Sequence, residues 1–221
     1  MALTGIVVNG GKVRAVETTA GRIACRHVVL ATGAWSSRVA RMAGLELPVK
    51  PVRRVLMIIK PKRKPRYKIP MMSDECEAFT ERQGLNIRED LEGCYAGSGS
   101  HEVVGHDDAI DPDHFDPRYS FDDVLDFGDK LEQLFPDFGD FDVVDGSAGF
   151  YATVPDANYI IGRVEEPEGI VVCTGFMGEG ISASGGAGRF AAELVLDGKI
   201  TSCTNPGPWA CTPERFPGIK K

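Results

Sequence analysis

Apolar and polar positions change their period several times along the chain, and each change predicts an element. "GIVVNGG" and "KVRAVETTAG" alternate around Gly10-Gly11, the pattern of two strands joined by a tight hairpin. "GRIACRHVVLATGAW" predicts a third strand ending in the continuous run Val28-Val29-Leu30-Ala31, which suits burial on both faces. Ser36 or Ser37 is placed to cap a short helix, "SRVARMAGL", closed by Gly44. After Pro48 the pattern predicts a strand over "RVLMIIK" and then a solvated basic loop, with further strands and turns over residues 74–105, "GCYAGSGS" among them. Val124, Phe127, Leu131 and Leu134 recur at helical spacing in "SFDDVLDFGDKLEQLFPDF", with Ser120 and Asp123 as the N-terminal cap. "FDVVDGSAGFYATVPDANYIIG" predicts two strands about the turn Pro155-Asp156-Ala157-Asn158. "GIVVCT" reads as a buried strand, "ASGGAGRFAAELVLDG" as a helix, and a polar, proline-containing tail follows from Thr201.

Composition narrows the function classes. A chain of 221 residues, 43% hydrophobic and 26% charged, is long enough for one large domain or two small ones with a real core. Its formal net charge of −7 argues against nucleic acid as the main partner. Nine basic and no acidic residues lie from Lys50 to Lys68, a run that reads as a solvated loop in preference to a nucleic-acid patch. The balance reverses between Asp107 and Asp145, where the aspartates read as a solvated helix face and no spaced calcium loop occurs. No apolar run is long enough for a membrane span, and the N-terminus lacks a leader pattern, so a cytoplasmic protein is expected. Cys25, Cys76, Cys94, Cys173, Cys203 and Cys211 share no metal-binding spacing and read as free, buried thiols. His101, His106 and His114 have no partners at ligand spacing, and no metal site is expected.

The chemistry concentrates near the C-terminus. Gly178-Glu179-Gly180-Ile181-Ser182-Ala183 satisfies the G-x-G-x-x-G/A dinucleotide pattern between a strand and a helix. Glycines there allow close approach of a ligand, and N–H groups at the helix start favour oxygen-rich or negative groups; a plain packing turn would look the same. A first Rossmann unit also needs a returning parallel strand with an acidic residue about 20 positions further on. Asp197 stands near that distance but at the helix end, and little strand pattern follows it. The loop therefore closes a sheet whose other strands lie earlier in the chain or in another chain.

Three stretches together resemble the D-amino-acid-oxidase-like (DAO) family of FAD-dependent oxidoreductases, which oxidise sarcosine, dimethylglycine and glycine among other substrates. They are "VVLATGAWSS" from Val28, "AGFYATVPDANYIIGRVEEPEGIVVCTGF" from Ala148 and "GFMGEGISASGGAGRFAAELVLDGK" from Gly175. About 110 residues separate the first two, in the family's order. The resemblance covers most of residues 1–200 and implies an α/β fold: a partial FAD-binding, Rossmann-like lobe (1–46 and 147–200), an α+β substrate lobe on a mixed sheet (47–146) and a tail (201–221). The strand, G-x-G-x-x-G and helix with which family members hold the pyrophosphate are not found, so the chain is similar to the family's C-terminal portion. A second chain supplying the dinucleotide-binding unit is one expectation.

The resemblance also implies roles. Thr32, Gly33, Ala34 and Trp35 match the segment lying along FAD. Gly175, Phe176, Met177, Gly178, Glu179, Gly180 and Ile181 match the loop meeting the flavin ring, whose amides stabilise charge gained on reduction. Tyr151 and Ser182 match positions facing substrate. Gly149 and Phe150 stand where relatives with covalent flavin carry a cysteine, so non-covalent FAD is expected. Ser182 replaces a lysine of sarcosine oxidases, which leaves a dehydrogenase as open as an oxidase. The implied activity is oxidation of the C–N bond of an amino acid or N-methylated amine by hydride transfer; no catalytic residue is assigned. The alternative is a non-catalytic assembly or interaction factor that keeps the fold.

Overall fold

The computed structural model describes residues 1–73, 85–90, 93–99, 110–203, 211–216 and 219. Eleven strands and three α-helices are found among them: β1 (Leu3–Asn9), β2 (Lys12–Thr18), β3 (Gly21–Ala24), β4 (Val28–Leu30), α1 (Ser36–Arg41), β5 (Lys50–Pro61), β6 (Met72–Ser73), β7 (Leu85–Glu89), β8 (Tyr95–Gly99), α2 (Phe121–Leu134), β9 (Phe141–Thr153), β10 (Ile160–Arg163), β11 (Ile170–Thr174) and α3 (Gly180–Leu196). They divide into two units. One comprises Met1–Pro51 with Tyr151–Lys221, the other Val52–Phe150.

In the first unit, β1, β2 and β3 form an antiparallel meander turned by Gly10 and Gly11, whose φ values of 60° and 70° suit the tight hairpin predicted there. The third predicted strand is two. The chain leaves the meander after Ala24, and the Val28 amide then donates to the Gly169 carbonyl at 2.8 Å to begin β4 in another sheet. That sheet has the order β10-β11-β4, with β11 antiparallel to β10 and parallel to β4. All five residues of β11 are buried, as its unbroken apolar run requires. Ile160, Ile170, Val172 and Leu30 share a core with Ile6 and Val13 of the meander and with Val39 and Ala40 of α1. Ile161, Val171 and Cys173 pack on the opposite face with Ala187, Ala191 and Leu194 of α3.

Neither predicted serine caps α1. Trp35 is the N-cap and makes no side-chain cap hydrogen bond. The Ser37 hydroxyl lies 2.7 Å and 2.5 Å from the Leu47 and Val49 carbonyls, and Ser36 turns inward to a role described below. A capping rule reads only local partners, and here acceptors remote in sequence win.

The residues after α3 are fastened to the first unit. Glu193 accepts from the Thr201 and Ser202 amides at 2.7 and 3.0 Å and from Arg189 Nε at 3.0 Å, which holds its carboxyl at about 2. The Ile161 amide donates to the Cys211 carbonyl at 2.7 Å, on the free side of β10. Arg215 grips Asp156 through two nitrogens, at 2.6 and 3.1 Å, and Ile219 reaches the core.

In the second unit the sheet order is β6-β7-β8-β5-β9, and the β6–β7, β7–β8 and β8–β5 pairs are antiparallel. Helix α2 covers one face, with Phe127 and Leu131 against Val55, Met57, Ile59, Leu85 and Ile87. Ser120 and Asp123 make the predicted capping box. Asp123 also binds Arg53 through both oxygens, at 2.7 and 2.8 Å, so an arginine of the basic run is a structural partner of the acidic one. Lys62 likewise pairs with Asp142 at 2.7 Å.

No disulfide joins any described cysteine, and no group of potential ligands is arranged for a metal among the described residues. Cys76, His101 and His106 lie outside those residues. No described helix is long and apolar enough to cross a membrane.

Burial alone would raise the Asp123 carboxyl, but hydrogen bonds from Arg53 and Ser120 outweigh it and hold it at about 2, against the ordinary 3.8. A depressed carboxyl stabilises the fold above its unfolded value, and that contribution is lost as pH falls through the folded value. Asp123→Asn is therefore expected to cost about 1.5–3 kcal/mol at neutral pH, with a penalty that shrinks as pH falls from about 4 to about 2. Urea unfolding of both proteins across that range measures it.

Candidate functional site

The parallel pairing of β4 with β11, Val28 opposite Ile170 through Leu30 opposite Val172, sends the carboxyl ends of both strands the same way. Thr32–Trp35 and Gly175–Ile181 follow directly, so the two segments leave the same end of one sheet. Open α/β sheets bind ligands outside the carboxyl ends of their strands.

A hydroxyl chain links the two strand ends. Ser36 Oγ and Thr174 Oγ1 lie 2.6 Å apart, both buried, and Thr32 Oγ1 donates to Ser36 Oγ at 3.2 Å. Gly33–Trp35 form a 3-10 turn in which Ala34 is buried while Gly33 and Trp35 face solvent.

The second segment is a shaped backbone. Gly175, Met177 and Gly178 all have positive φ, at 80°, 46° and 100°. The Met177 amide donates to the Ala152 carbonyl at 3.3 Å and the Glu179 amide to the Phe176 carbonyl at 2.8 Å. Tyr151 lies behind the loop: a β-carbon on Gly178 would fall 2.5 Å from its ring. Glycine is thus required at this position by both space and φ. Tyr159 supports the other side, with its ring 4.9 Å from that of Phe176 and its hydroxyl donating to the Glu179 carboxylate. Helix α3 then begins. The amides of Gly180, Ile181 and Ser182 form its first turn, where no preceding carbonyls serve them. Ile181 is 92% exposed, and the Ser182 hydroxyl donates back to the Glu179 carbonyl at 2.9 Å. Burial raises the Cys173 thiol, which stays protonated inside the sheet.

These residues fit an extended, anionic, ring-bearing ligand such as FAD. The loop offers backbone donors and an uncovered apolar side chain, and its one carboxylate is engaged by Tyr159. Ser36, Thr174 and Tyr159 were not singled out as site residues in the sequence. Their partners lie 138 positions apart for Ser36 and Thr174, and 20 apart for Tyr159 and Glu179, beyond any local pattern.

Comparison with known proteins follows the same line. The sequence model of the DAO family, FAD dependent oxidoreductase, matches residues 1–194. The chain is 29% identical over 192 residues to FAD-dependent oxidoreductase domain-containing protein 1 of Bos taurus, covering 80% of this chain and 37% of that protein. It is 28% identical over 182 residues to the glycine oxidase of Geobacillus kaustophilus (strain HTA426), covering 81% and 43%. The chain thus spans less than half the length of these relatives. Among solved structures, L-proline dehydrogenase from P. horikoshii matches with a TM-score of 0.73 at 24% identity, covering 90% of this chain and 50% of that one. At that identity the likeness shows the fold alone.

Gly178→Ala is expected to cost about 1–3 kcal/mol, because the new methyl group meets the Tyr151 ring in a disfavoured φ region. Thermal unfolding measures it. Adding Tyr151→Ala should recover the clash but not the backbone strain, so the double variant remains less stable than Tyr151→Ala alone.

Proposed function

The chain belongs to the DAO family of FAD-dependent oxidoreductases, and from that premise we propose that it forms the flavin-ring and substrate part of an enzyme oxidising the C–N bond of an amino acid or N-methylated amine. The observation that carries this reading is the meeting of Thr32–Trp35 and Gly175–Ile181 at the carboxyl ends of two paired parallel strands. The glycine oxidase relative supports the choice of an amino-acid substrate.

When bound between Thr32–Trp35 and the Gly175–Ile181 loop, FAD would supply the two-electron acceptor for the hydride of the carbon beside the nitrogen, leaving an imine for water to hydrolyse. The chain's own contribution is positional and electrostatic. Thr32, Gly33, Ala34 and Trp35 would line the cofactor, while the Gly175–Ile181 loop would meet its ring; the Met177 and Glu179 amides are spent within the fold, and the first turn of α3 would add its open amides and a positive helix end. Tyr159 fixes the loop and engages Glu179. The resemblance assigns Tyr151 and Ser182 to the substrate side, although Tyr151 packs behind the loop against Gly178 and the Ser182 hydroxyl is held by the Glu179 carbonyl; Ser182 brings no charge, so the pull on electrons would come from backbone dipoles. Gly149 and Phe150 offer no nucleophile for a flavin bond, so the cofactor would be held non-covalently.

The phosphate-holding unit lies outside these 221 residues, in the same polypeptide or in a second one. Strand β4 is the place for it. Its outer edge has no described partner strand, and Val29 is 42% exposed although parallel sheets are normally covered on both faces.

The test is co-purifying flavin absorbance, first for residues 1–221 and then for the chain joined to, or co-expressed with, a strand–G-x-G-x-x-G–helix unit. Flavin retained by the completed protein, with turnover of glycine, sarcosine or D-alanine in the presence of an artificial electron acceptor, is expected. Flavin bound without turnover of any amine would favour the non-catalytic interaction factor, and no flavin in either form would sink the reading.

A further inference from the structure

A hollow of about 580 Å³ lies in the second unit, between α2 and the segment that returns from it to β9. Helix α2 ends at Leu134, and the Phe138 amide donates to the Phe135 carbonyl at 2.8 Å, which turns the chain back. Gly139 continues the turn with a φ of 71°. The Lys62 amide then donates to the Asp140 carbonyl at 2.8 Å, which pins the returning segment beside the end of β5. Phe135, Phe138 and Phe141 line the hollow. The core fixes two of these rings: Phe138 meets Tyr95 edge-on at 5.3 Å, and Phe141 meets Phe127 edge-on at 6.2 Å.

Leu125, Gly128, Asp129 and Glu132 recur at helical spacing, so one face of α2 forms the opposite bank. Leu125 is 49% exposed there. A β-carbon on Gly128 would lie 3.6 Å from the Phe141 ring, an ordinary contact, so packing leaves room for alanine. Glycine is less favourable than alanine inside a helix, and what its bare backbone provides here is an open path to that ring. The charge lining the hollow is mostly of one sign. Asp129 and Glu132 stand on the helix bank and Asp140 and Asp142 on the other, where Lys62 pairs with Asp142 at 2.7 Å. Arg63 Nη2 also reaches that far bank, 3.9 Å from where a β-carbon on Gly139 would stand. Lys130, by contrast, is buried against Asp126 at 2.7 Å, so the negative field is strongest along α2.

We propose that this hollow binds a protonated aromatic amine, whose ring packs on Phe135, Phe138 and Phe141 while its ammonium group sits between Asp129 and Glu132. The volume falls in the range of small-molecule sites, and the walls are aromatic as such sites require. A cation is drawn both to the carboxylates and to the faces of the rings. An anion of the same size meets like charge on both banks. The assignment does not depend on the flavin reading, since the hollow shares no residue with the glycine loop or with Thr32–Trp35.

The test is amide NMR on the isotope-labelled chain of 221 residues. Tryptamine, protonated at neutral pH, is expected to shift the Leu125, Gly128, Asp129, Glu132 and Phe141 amides saturably. Tryptophol, with a hydroxyl in place of the ammonium group, should bind about five- to tenfold more weakly, and indole-3-acetate more weakly still. The preference for amine over alcohol should shrink as salt is raised, because these carboxylates are exposed. Asp129→Asn combined with Glu132→Gln should abolish the preference and keep the weaker binding of the alcohol. Gly128→Leu should weaken both ligands by filling the hollow, with cooperative unfolding retained. Equal binding of amine and alcohol, an undiminished preference in the double variant, or shifts confined to other residues would each overturn the proposal. If Gly128→Leu fails to fold, the carboxylate variant decides between these outcomes.

Discussion

The first unit depends on the burial of β11. A strand with all five residues inside must be paired on both edges and covered on both faces, and each requirement recruits a different part of the chain. β10 and β4 satisfy its edges; the meander and α1 cover one face, and α3 covers the other. Because β4 pairs in parallel, the next segment of the chain emerges beside the glycine loop. The loop's place follows from the core, and its shape follows from three positive φ values and the tyrosines behind it. Truncating Ile170 or Val172 would therefore disturb the site as well as the fold, at a cost of about 2–5 kcal/mol for an aliphatic side chain cut to alanine.

The second unit solves a different problem. Its sequence holds a basic run and an acidic run, each of which would repel itself in isolation. Arg53 reaches Asp123, 70 positions away, and the same carboxylate completes the cap of α2. One aspartate thus joins the strand that opens the unit to the helix that covers its sheet. With the other pair, Lys62 with Asp142, two charges of the basic run are matched by charges of the acidic one.

The elements that could be read from sequence are those whose cause is local. Gly10-Gly11 declared the hairpin, Ser120 and Asp123 declared the start of α2, and the passage from "IVVCT" to a glycine-rich turn declared the strand, loop and helix. The motifs that resemble the DAO family were also legible, since each is a short run in a fixed order. The misreadings involve distant partners. Ser36 looked like a cap because capping needs only neighbours, whereas Thr174 draws it inward. β3 and β4 looked like one strand because nothing between Ala24 and Val28 announces a change of sheet. The anchoring of Arg215 on Asp156 joins a proline-rich tail to a turn 59 positions earlier, and neither segment names the other.

The dinucleotide pattern at Gly178 misleads for a related reason. A pattern counts glycines, but the physical demands on these glycines differ. Gly178 is fixed by the Tyr151 ring and by its φ, whereas Glu179, Ile181 and Ser182 point outward and place no demand on the core. On the proposed reading, the groups the loop would offer a ligand are the backbone amides left open at the start of α3, which every residue supplies. Its side chains are then free to differ from those of relatives without loss of the donors, provided that the backbone path is kept. That path is kept by residues outside the motif: Tyr151 and Tyr159, the Ala152 carbonyl, and Thr174 at the end of the buried strand.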